Sequence, residues 1–264
     1  MNRNVKDKKV LITGASSGIG MYLAIHIARS GGIPILIARS EDRLEIIANI
    51  VKERFGVDCY WYKADLSNDI DWKDIIDQIC YDHGSIDALI NNAGMAVFDL
   101  VVEAQWKDIE NMLDVNVKSL IRAVHQLLPH FLKQGEGHII NVASQAGKIA
   151  TPKSAVYSAS KHAVIGFTNA LRMEVEKEGV YVTSVNLGPV RTNFFRQADP
   201  SGSYERAVDR FMLEPNKVAF TITQSLFTNR REINLPLWMD SGSKIYQMLP
   251  VMMEKLMQNQ FNKK

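Results

Sequence analysis

The stretch KVLITGASSGIGMYLAIHIAR, residues 9–29, decides the fold. Its apolar start at 9–13 predicts a buried strand, and the apolar spacing after Gly20 predicts a helix. Between them, Gly14, Gly18 and Gly20 let the backbone turn tightly and approach a ligand closely. The N-terminus of the helix offers unpaired N–H groups and a partial positive charge. The stretch therefore predicts a strand–loop–helix unit that binds the pyrophosphate of a dinucleotide.

Further apolar, β-rich runs follow this unit, and segments with helical spacing separate them. The runs lie at 33–38, 58–64, 87–91, 138–143 and 180–187. Alternating strands and helices favour parallel strands joined by right-handed crossovers. We therefore predict an α/β fold with residues 1–264 in a single domain. It is a Rossmann-like, doubly wound parallel sheet of six strands, with helices on both faces.

The composition is that of an ordinary globular protein, with 46% hydrophobic residues, 23% charged residues and a net charge of +2. Such a balance gives no argument for a nucleic-acid or membrane-surface partner, so a small molecule is the expected one. No apolar run reaches the ~18 residues of a membrane span, and residues 1–10 lack the apolar core of a signal peptide. We expect a soluble, cytoplasmic protein. Its two cysteines and six histidines lack metal-ligand spacing, so no metal site is expected.

The end of the second strand indicates which dinucleotide binds. Arg39 and Ser40 come about 20 residues after the glycine loop, where an acidic residue would bind the ribose 2′-hydroxyl of NAD. A guanidinium instead forms charge-assisted bonds to a 2′-phosphate, which predicts NADP. The alternative is a solvated arginine at a strand end. Glu41 and Asp42 are explained by the first turn of the next helix.

A tyrosine and a lysine in the sequence YSASK, Tyr157 and Lys161, lie on one face of a predicted helix. An ordinary tyrosine, with a pKa of about 10, is a poor acid or base near neutrality. A lysine cation ~4 Å away would lower that pKa by about 3. Ser144 ends the preceding strand, where its hydroxyl would bond the substrate oxygen. The combination predicts proton transfer to or from that oxygen.

In these motifs the chain resembles the short-chain dehydrogenase/reductase family, whose glycine loop reads TGxxxGxG. Residues 91–94 match its NNAG motif, and Asn116 completes an Asn–Ser–Tyr–Lys tetrad with Ser144, Tyr157 and Lys161. The resemblance implies hydride transfer between a nicotinamide and a carbonyl carbon. Tyr157 would exchange a proton with the carbonyl oxygen, and Ser144 would polarise that oxygen. Asn116 would hold a water in a proton relay to Lys161.

The resemblance also implies a cofactor site along the carboxyl ends of the strands, with Lys161 on the nicotinamide ribose and Asp65 near adenine. The expected set is Gly14, Ser16, Ser17, Gly18, Ile19, Gly20, Arg39, Ser40, Asp65, Leu66, Asn92, Ala93, Gly94, Tyr157, Lys161, Pro189, Val190 and Thr192. One departure concerns the last three residues. The family usually has Asn-Pro-Gly-x-Val-x-Thr, whereas the proline here follows the glycine, which puts the shape beside the nicotinamide in doubt.

Beyond the cofactor-binding and catalytic core at 9–192, the resemblance is loose. Residues 193–214 are expected to form the substrate loop. Its apolar side chains either receive a bulky apolar substrate or seal the loop onto the core. They are Phe194, Phe195, Phe211, Met212 and Leu213.

The Met-rich segment 239–264 is predicted to form a helical extension broken or kinked at Pro250. We favour its packing within an oligomer, with a pocket cover or a lipid contact as alternatives. Residues 231–244, which lead into this segment, lack the Asp-Gly-Gly ending of 3-oxoacyl-carrier-protein reductases. This departure weakens an assignment to fatty-acid synthesis.

The leading hypothesis is an NADPH-dependent reductase of a hydrophobic ketone, aldehyde or 3-oxoacyl compound. One alternative is an NADP-dependent alcohol or hydroxy-acid dehydrogenase that works oxidatively. Another is a dinucleotide-binding sensor without turnover, since a fold alone does not prove activity. The family likeness further implies a homodimer or homotetramer paired through the helices at 107–132 and 155–178.

Overall fold

Seven parallel strands form one sheet in a computed structural model that describes residues 2–261, apart from the side chains of 69–71 and 257–261. The strands are β1 (Lys9–Thr13), β2 (Ile33–Ala38), β3 (Tyr60–Lys63), β4 (Ala88–Asn91), β5 (Gly137–Val142), β6 (Val180–Leu187) and β7 (Glu232–Leu235). Their order is β3-β2-β1-β4-β5-β6-β7. The strand order reverses between β1 and β4, which creates the crevice where ligands of such sheets bind.

Helices cover both faces of the sheet, which confirms the predicted doubly wound fold. The α-helices of the described chain are α1 (Gly18–Arg29), α2 (Glu41–Phe55), α3 (Asp69–His83), α4 (Trp106–Leu113), α5 (Ser119–Gln134), α6 (Ala155–Glu174), α7 (Phe194–Ala198), α8 (Ser203–Val208), α9 (Pro215–Ser225), α10 (Leu237–Met248) and α11 (Pro250–Phe261). A π-helical turn at Asp114–Lys118 joins α4 to α5.

The core lies in two layers, one on each face of the sheet. In β1, Val10 and Ile12 pack toward α1, α2 and α9, whereas Leu11 packs toward α3, α5 and α6. All three side chains are fully buried. Strands buried on both faces have continuous apolar runs rather than alternating ones, which is why KVLIT and IPILIA were recognisable.

The prediction of six strands was one short, because β7 also pairs with β6. Its sequence, EINL, contains only two apolar residues and leads directly into Pro236, so it carries little strand signal. At the other edge, β3 is shorter than the predicted 58–64, since it pairs with a single neighbour over Tyr60–Lys63. Both differences concern edge strands, where fewer side chains must be buried.

The C-terminal segment turns at Leu249, between the end of α10 and the start of α11. Pro250 is the first residue of α11, where a missing N–H costs least, and this confirms the predicted break. Residues 262–264 of the predicted extension and the side chain of Met257 lie outside the described residues. Within residues 2–261, no helix is long and apolar enough to cross a membrane.

Candidate active site

A cavity of about 840 Å³ follows the carboxyl ends of the strands. Except for Gly20, every residue of the expected cofactor set lines this cavity. Ser144, Tyr157 and Lys161 of the expected tetrad also line it, whereas Asn116 lies behind the wall. Residues from the ends of six strands, β1 to β6, therefore meet in one elongated site.

The glycine loop is held against the end of β4 at close range. Gly14 has a φ of +65°, and a Cβ there would lie 2.8 Å from the Cα of Ala93. A Cβ at Gly20 would lie 2.3 Å from the carbonyl oxygen of Gly14, so this glycine shapes the loop from behind. The side chain of Ser17 does not cap α1, which leaves the first N–H groups of this helix available to an anion.

Hydrogen bonds of two side chains, Thr13 and Asn92, fix this arrangement. The Thr13 hydroxyl oxygen accepts bonds from the backbone N–H groups of Asn92 and Ala93, both at 3.0 Å. The Asn92 amide donates to the carbonyl oxygens of Thr13 and Gly14, at 3.0 and 3.2 Å. The loop is thus rigidly cross-linked to β4 before any ligand binds.

A pair of exposed arginines lies at one end of the cavity. Arg39 follows β2, and Arg43 lines the same region from the first turns of α2. Partial burial raises the pKa of Asp65, but hydrogen bonds from Ser67 and the charge of Arg39 outweigh that effect and lower it. Arg43 was not predicted, although a second basic residue four positions after Arg39 was a usable signal. The pair forms a cationic end suited to a phosphate.

Tyr157 is buried at the middle of the cavity, near the start of α6. Its ring lies 5.9 Å, centre to centre, from both Phe98 and Phe194. The Nζ of Lys161 is 5.9 Å from the centre of the Tyr157 ring and donates to the carbonyl oxygen of Val142 at 3.0 Å. The Ser144 hydroxyl interacts with the Tyr157 phenol, so three polar groups converge at this point.

The expected lowering of the Tyr157 pKa by Lys161 is wrong for this structure. Burial raises the pKa of Tyr157 to about 12, although the hydrogen bond with Ser144 opposes the rise. Burial also lowers the pKa of Lys161 to about 8. The cation is bonded to a backbone carbonyl rather than to the phenol, so the loss of hydration outweighs its attraction for a tyrosinate. Tyr157 is consequently a protonated phenol at neutral pH.

Asn116 lies in the π-helical turn and is almost completely buried. Its Oδ1 accepts a bond from the Met95 N–H at 2.8 Å, and its Nδ2 donates to the Met95 carbonyl and to Ser160 Oγ at 2.9 and 3.0 Å. A Cβ at Gly94 would lie 3.3 Å from Asn116 Oδ1 and 3.4 Å from Lys161 Nζ, so both polar atoms face the same point.

The segment with the displaced proline is fixed by the end of the substrate loop. The N–H of Leu213 donates to the Pro189 carbonyl at 2.8 Å, and the N–H of Arg191 donates to the Leu213 carbonyl at 2.9 Å. Pro189, Val190 and Thr192 all line the cavity. The position of the proline therefore leaves this wall of the site in place.

Aromatic side chains dominate the other end of the cavity. The ring of Phe98 lies 5.2 Å from that of Tyr204, and the ring of Phe211 lies 5.5 Å from that of Trp238. The apolar side chains of the loop predicted at 193–214 divide between the cavity wall and the core. Phe194, Phe195 and Phe211 line the cavity, whereas Leu213 packs on the core. Tyr204 and Trp238 were missed because nothing in their local sequence connects them to the site.

The C-terminal helices form a further wall, and their lining side chains are Trp238, Met239, Tyr246 and Met253. Met239 and Met253 thus lie where the pocket-cover alternative expects them, whereas packing within an oligomer stays a prediction. α10 follows the edge strand β7, and its side chains reach the cavity from there. Met248 and Met252 lie on the outer, exposed face.

Comparisons with known proteins agree with this geometry. A model of the short chain dehydrogenase family matches residues 8–201. An uncharacterized oxidoreductase of Staphylococcus saprophyticus is 36% identical over 188 residues, 71% of this chain and 80% of the relative. A short-chain dehydrogenase from Sphingobium yanoikuyae, solved in complex with NADPH, superposes with a TM-score of 0.81 at 28% identity, covering 92% of this chain and 95% of that one.

A second solved structure is similar over 94% of each chain, with a TM-score of 0.78 and 25% identity. It is the bulky-bulky ketone specific alcohol dehydrogenase from Comamonas testosteroni. The likeness to both structures includes the C-terminal region that the family model does not match.

Proposed function

This chain belongs to the short-chain dehydrogenase family, and on that premise we propose that it is an NADPH-dependent oxidoreductase that reduces the carbonyl group of a bulky, hydrophobic compound to an alcohol. The observation that carries the proposal is the position of Tyr157. Its phenol, with Ser144 and Lys161, lies between a glycine cradle with a cationic end and a pocket of aromatic side chains.

The residues present fit NADPH. The absence of side chains at Gly14 and Gly20 lets the loop pack closely against Ala93 and against itself, and the N-terminus of α1 supplies N–H donors for a pyrophosphate. Arg39 and Arg43 provide the cations for a 2′-phosphate, and Lys161 is the candidate for the nicotinamide ribose. When bound, the reduced nicotinamide would supply the hydride for the carbonyl carbon. NADPH in the Sphingobium relative supports this choice.

The chain itself supplies the proton. The Tyr157 hydroxyl donates its proton to the carbonyl oxygen, and the Ser144 hydroxyl stabilises the charge that develops there. A pKa of about 12 keeps Tyr157 protonated at neutral pH, which favours reduction. Lys161, with a pKa lowered to about 8, is able to return a proton to the tyrosinate. Asn116 is proposed to hold the water of the relay to Lys161.

The pocket favours a bulky apolar ketone, aldehyde or 3-oxoacyl compound. Phe98, Phe194, Tyr204 and Trp238 provide large apolar surfaces, and the Comamonas relative acts on bulky ketones. Among the described lining residues, Asp65 at the adenine end is the one carboxylate, and the exposed Arg196 adds a cation beside Phe194 and Phe195. An anionic group beyond the apolar part of the substrate would therefore be accepted.

The experiment is to follow NADPH consumption against carbonyl compounds from small keto acids to bulky cyclic and aromatic ketones. We expect the highest kcat/KM for bulky ketones. Tyr157→Phe should lower kcat by about 10²–10⁴-fold while NADPH still binds. Tyr81→Phe, at an exposed tyrosine, is the matched control.

Full turnover by the Tyr157→Phe protein would contradict the proposed chemistry. NADPH binding without turnover of any carbonyl would contradict the proposed activity. Faster oxidation of alcohols by NADP⁺ at neutral pH would favour the oxidative alternative.

We also propose a cytoplasmic homodimer or homotetramer that pairs through the helices at 107–132 and 155–178. Exposed apolar side chains on these helices support an interface there, namely Leu113, Ile121, Leu132 and Met173. Light scattering at micromolar concentration distinguishes a monomer from either assembly.

A further inference from the structure

We propose that Lys148 is a positioning residue that holds α10 over the substrate end of the cavity and thereby sets which carbonyl compounds fit. The inference rests on the proposed function, since it assigns the control of substrate size to one buried cation. Lys148 does not line the cavity, so it acts through the helix that it holds.

The ammonium group of Lys148 forms hydrogen bonds to three side chains. Its Nζ donates to Glu232 Oε2 at 3.0 Å, to Asn234 Oδ1 at 2.9 Å and to Asp240 Oδ1 at 2.8 Å. An ammonium group has three N–H donors, and all three are used here. The side chain of Lys148 is only 11% exposed, so water screens these bonds weakly.

The three partners lie in two elements, and neither is the segment that carries Lys148. Lys148 follows the short helical turn Gln145–Gly147 that begins directly after Ser144, and the next residue, Ile149, lines the cavity. Glu232 and Asn234 lie in β7, whereas Asp240 lies in the first turn of α10. One cation thus joins the segment that carries the catalytic serine to the edge strand and to the C-terminal wall.

Polar contacts contribute much of the attachment of α10. The buried residues of α10 are Asp240 and Ser243, both polar. Its large apolar side chains Leu237, Ile245 and Met248 are exposed, so apolar burial adds little beyond the half-buried Met239 and the contact of Trp238 with Phe211. The same helix supplies Trp238, Met239 and Tyr246 to the cavity wall.

The two carboxylates of the cluster, Glu232 and Asp240, are stabilised as anions by their partners. Burial raises the pKa of Asp240 and of Glu232, but hydrogen bonds and the charge of Lys148 outweigh it and lower both values. Lys244 also bonds Asp240, at 2.8 Å, but it belongs to α10 itself. Loss of Lys148 would therefore leave Asp240 paired within the helix while removing its connection to the rest of the protein.

The test compares Lys148→Met with Lys148→Arg, and uses Lys8→Met as the matched control. Lys8 also joins two carboxylates, those of Asp87 and Glu136, but it lies at the amino ends of β1, β4 and β5, and none of the three residues lines the cavity. KM and kcat are measured for a small and a bulky ketone of the same reactivity, and NADPH affinity is measured by fluorescence. All measurements are made well below the unfolding temperature of each variant.

We expect Lys148→Met to raise KM for the bulky ketone by about tenfold relative to the small one, because the wall that binds it is displaced. NADPH affinity and kcat for the small ketone should change by less than about twofold. Lys148→Arg should restore much of the selectivity, since a guanidinium keeps the charge and the donors. An unchanged KM ratio in Lys148→Met would overturn the inference, as would equal losses for both ketones and for NADPH.

A second measurement separates this inference from the proposed function. Hydrogen exchange of the NADPH-bound chain should show faster exchange in 237–248 for Lys148→Met, with 137–142 unchanged. Absence of ketone reduction by the unmodified chain would overturn the function, and the exchange result would then still decide whether Lys148 holds α10. Identical exchange of 237–248 in both proteins would overturn the role of Lys148.

Discussion

The two ends of the cavity are built on different principles. At the cofactor end, glycines and backbone groups form the contact surface, and Thr13 and Asn92 cross-link the loop before a ligand binds. At the substrate end, large side chains form the surface, and Lys148 bonds to α10, the helix that forms part of the wall. Backbone can recognise a pyrophosphate shared by all members of a family, whereas selectivity for one substrate requires side chains that can be exchanged.

Regular strand pairing is the second difference between the two ends. The glycine loop and residues 92–94 occupy the ends of the neighbouring strands β1 and β4. The aromatic end joins Phe98 to Tyr204 and Phe211 to Trp238, from segments without regular pairing to one another. We therefore expect substitutions at the cofactor end to have larger effects than those at the substrate end.

The largest effect is expected for Gly20→Ala. The added Cβ would lie 2.3 Å from the Gly14 carbonyl and 2.8 Å from Asn92 Nδ2, so backbone must move. NADPH affinity should fall by at least about 100-fold, and the free energy of unfolding should fall by about 1–3 kcal/mol. Fluorescence titration and urea unfolding measure the two. Gly166→Ala, where a Cβ meets nothing within 4 Å, is the control. Unchanged affinity in Gly20→Ala would show that the loop adapts.

The next effect is a change of cofactor preference in Arg39→Asp. A carboxylate there repels a 2′-phosphate and accepts a bond from a free 2′-hydroxyl, so kcat/KM should fall by about 10–100-fold with NADPH and rise with NADH. Arg43→Ala should cause a smaller loss in the same direction. The control is Arg54→Asp, because Arg54 lies near the C-terminus of α2 and does not line the cavity. A preference that stays with NADPH in Arg39→Asp would place the phosphate elsewhere.

A pH profile tests the junction between the two ends. Lys161 has a pKa of about 8, so it loses its proton as pH rises through that value, whereas Tyr157, at about 12, stays protonated. The kcat/KM for reduction, which reports the free enzyme, should be constant below pH 8 and fall by about tenfold per pH unit above it. Lys161→Arg removes this titration, so its residual activity should lack the inflection. A flat profile to pH 9.5 in the unmodified chain would exclude Lys161 as the proton source.

The smallest effect is expected for Gly242→Ala at the substrate end. Unlike Gly20→Ala, it should stabilise the protein. Gly242 lines the cavity from α10, and a Cβ there meets nothing within 4 Å. Alanine should raise the free energy of unfolding by about 0.5–1 kcal/mol, since it favours the helix. KM for the bulkiest ketone should rise by about two- to threefold as the pocket narrows. Urea unfolding and steady-state kinetics provide the values, and a loss of stability would mean that α10 is not helical here.

The sequence predicted the sheet well because most of its strands are buried on both faces. β1, β2 and β6 were predicted with the bounds that the structure has, whereas β7, at the edge, was missed. Residues of the glycine loop were predictable because the turn between β1 and α1 requires them at fixed spacing. Arg43, Tyr204 and Lys148 were not, since their roles arise from segments that meet only in the folded chain.

The sequence by itself determined the family, the doubly wound sheet and the position of the candidate site, because apolar periodicity and strand-end motifs act through local geometry. The tertiary structure alone decided how the groups influence one another. Burial raised the pKa of Tyr157 where the spacing to Lys161 had suggested a lower value, because desolvation depends on every surrounding segment. It also decided that α10 forms one wall of the cavity, where a buried contact between Lys148 and Asp240 joins residues that no local pattern connects.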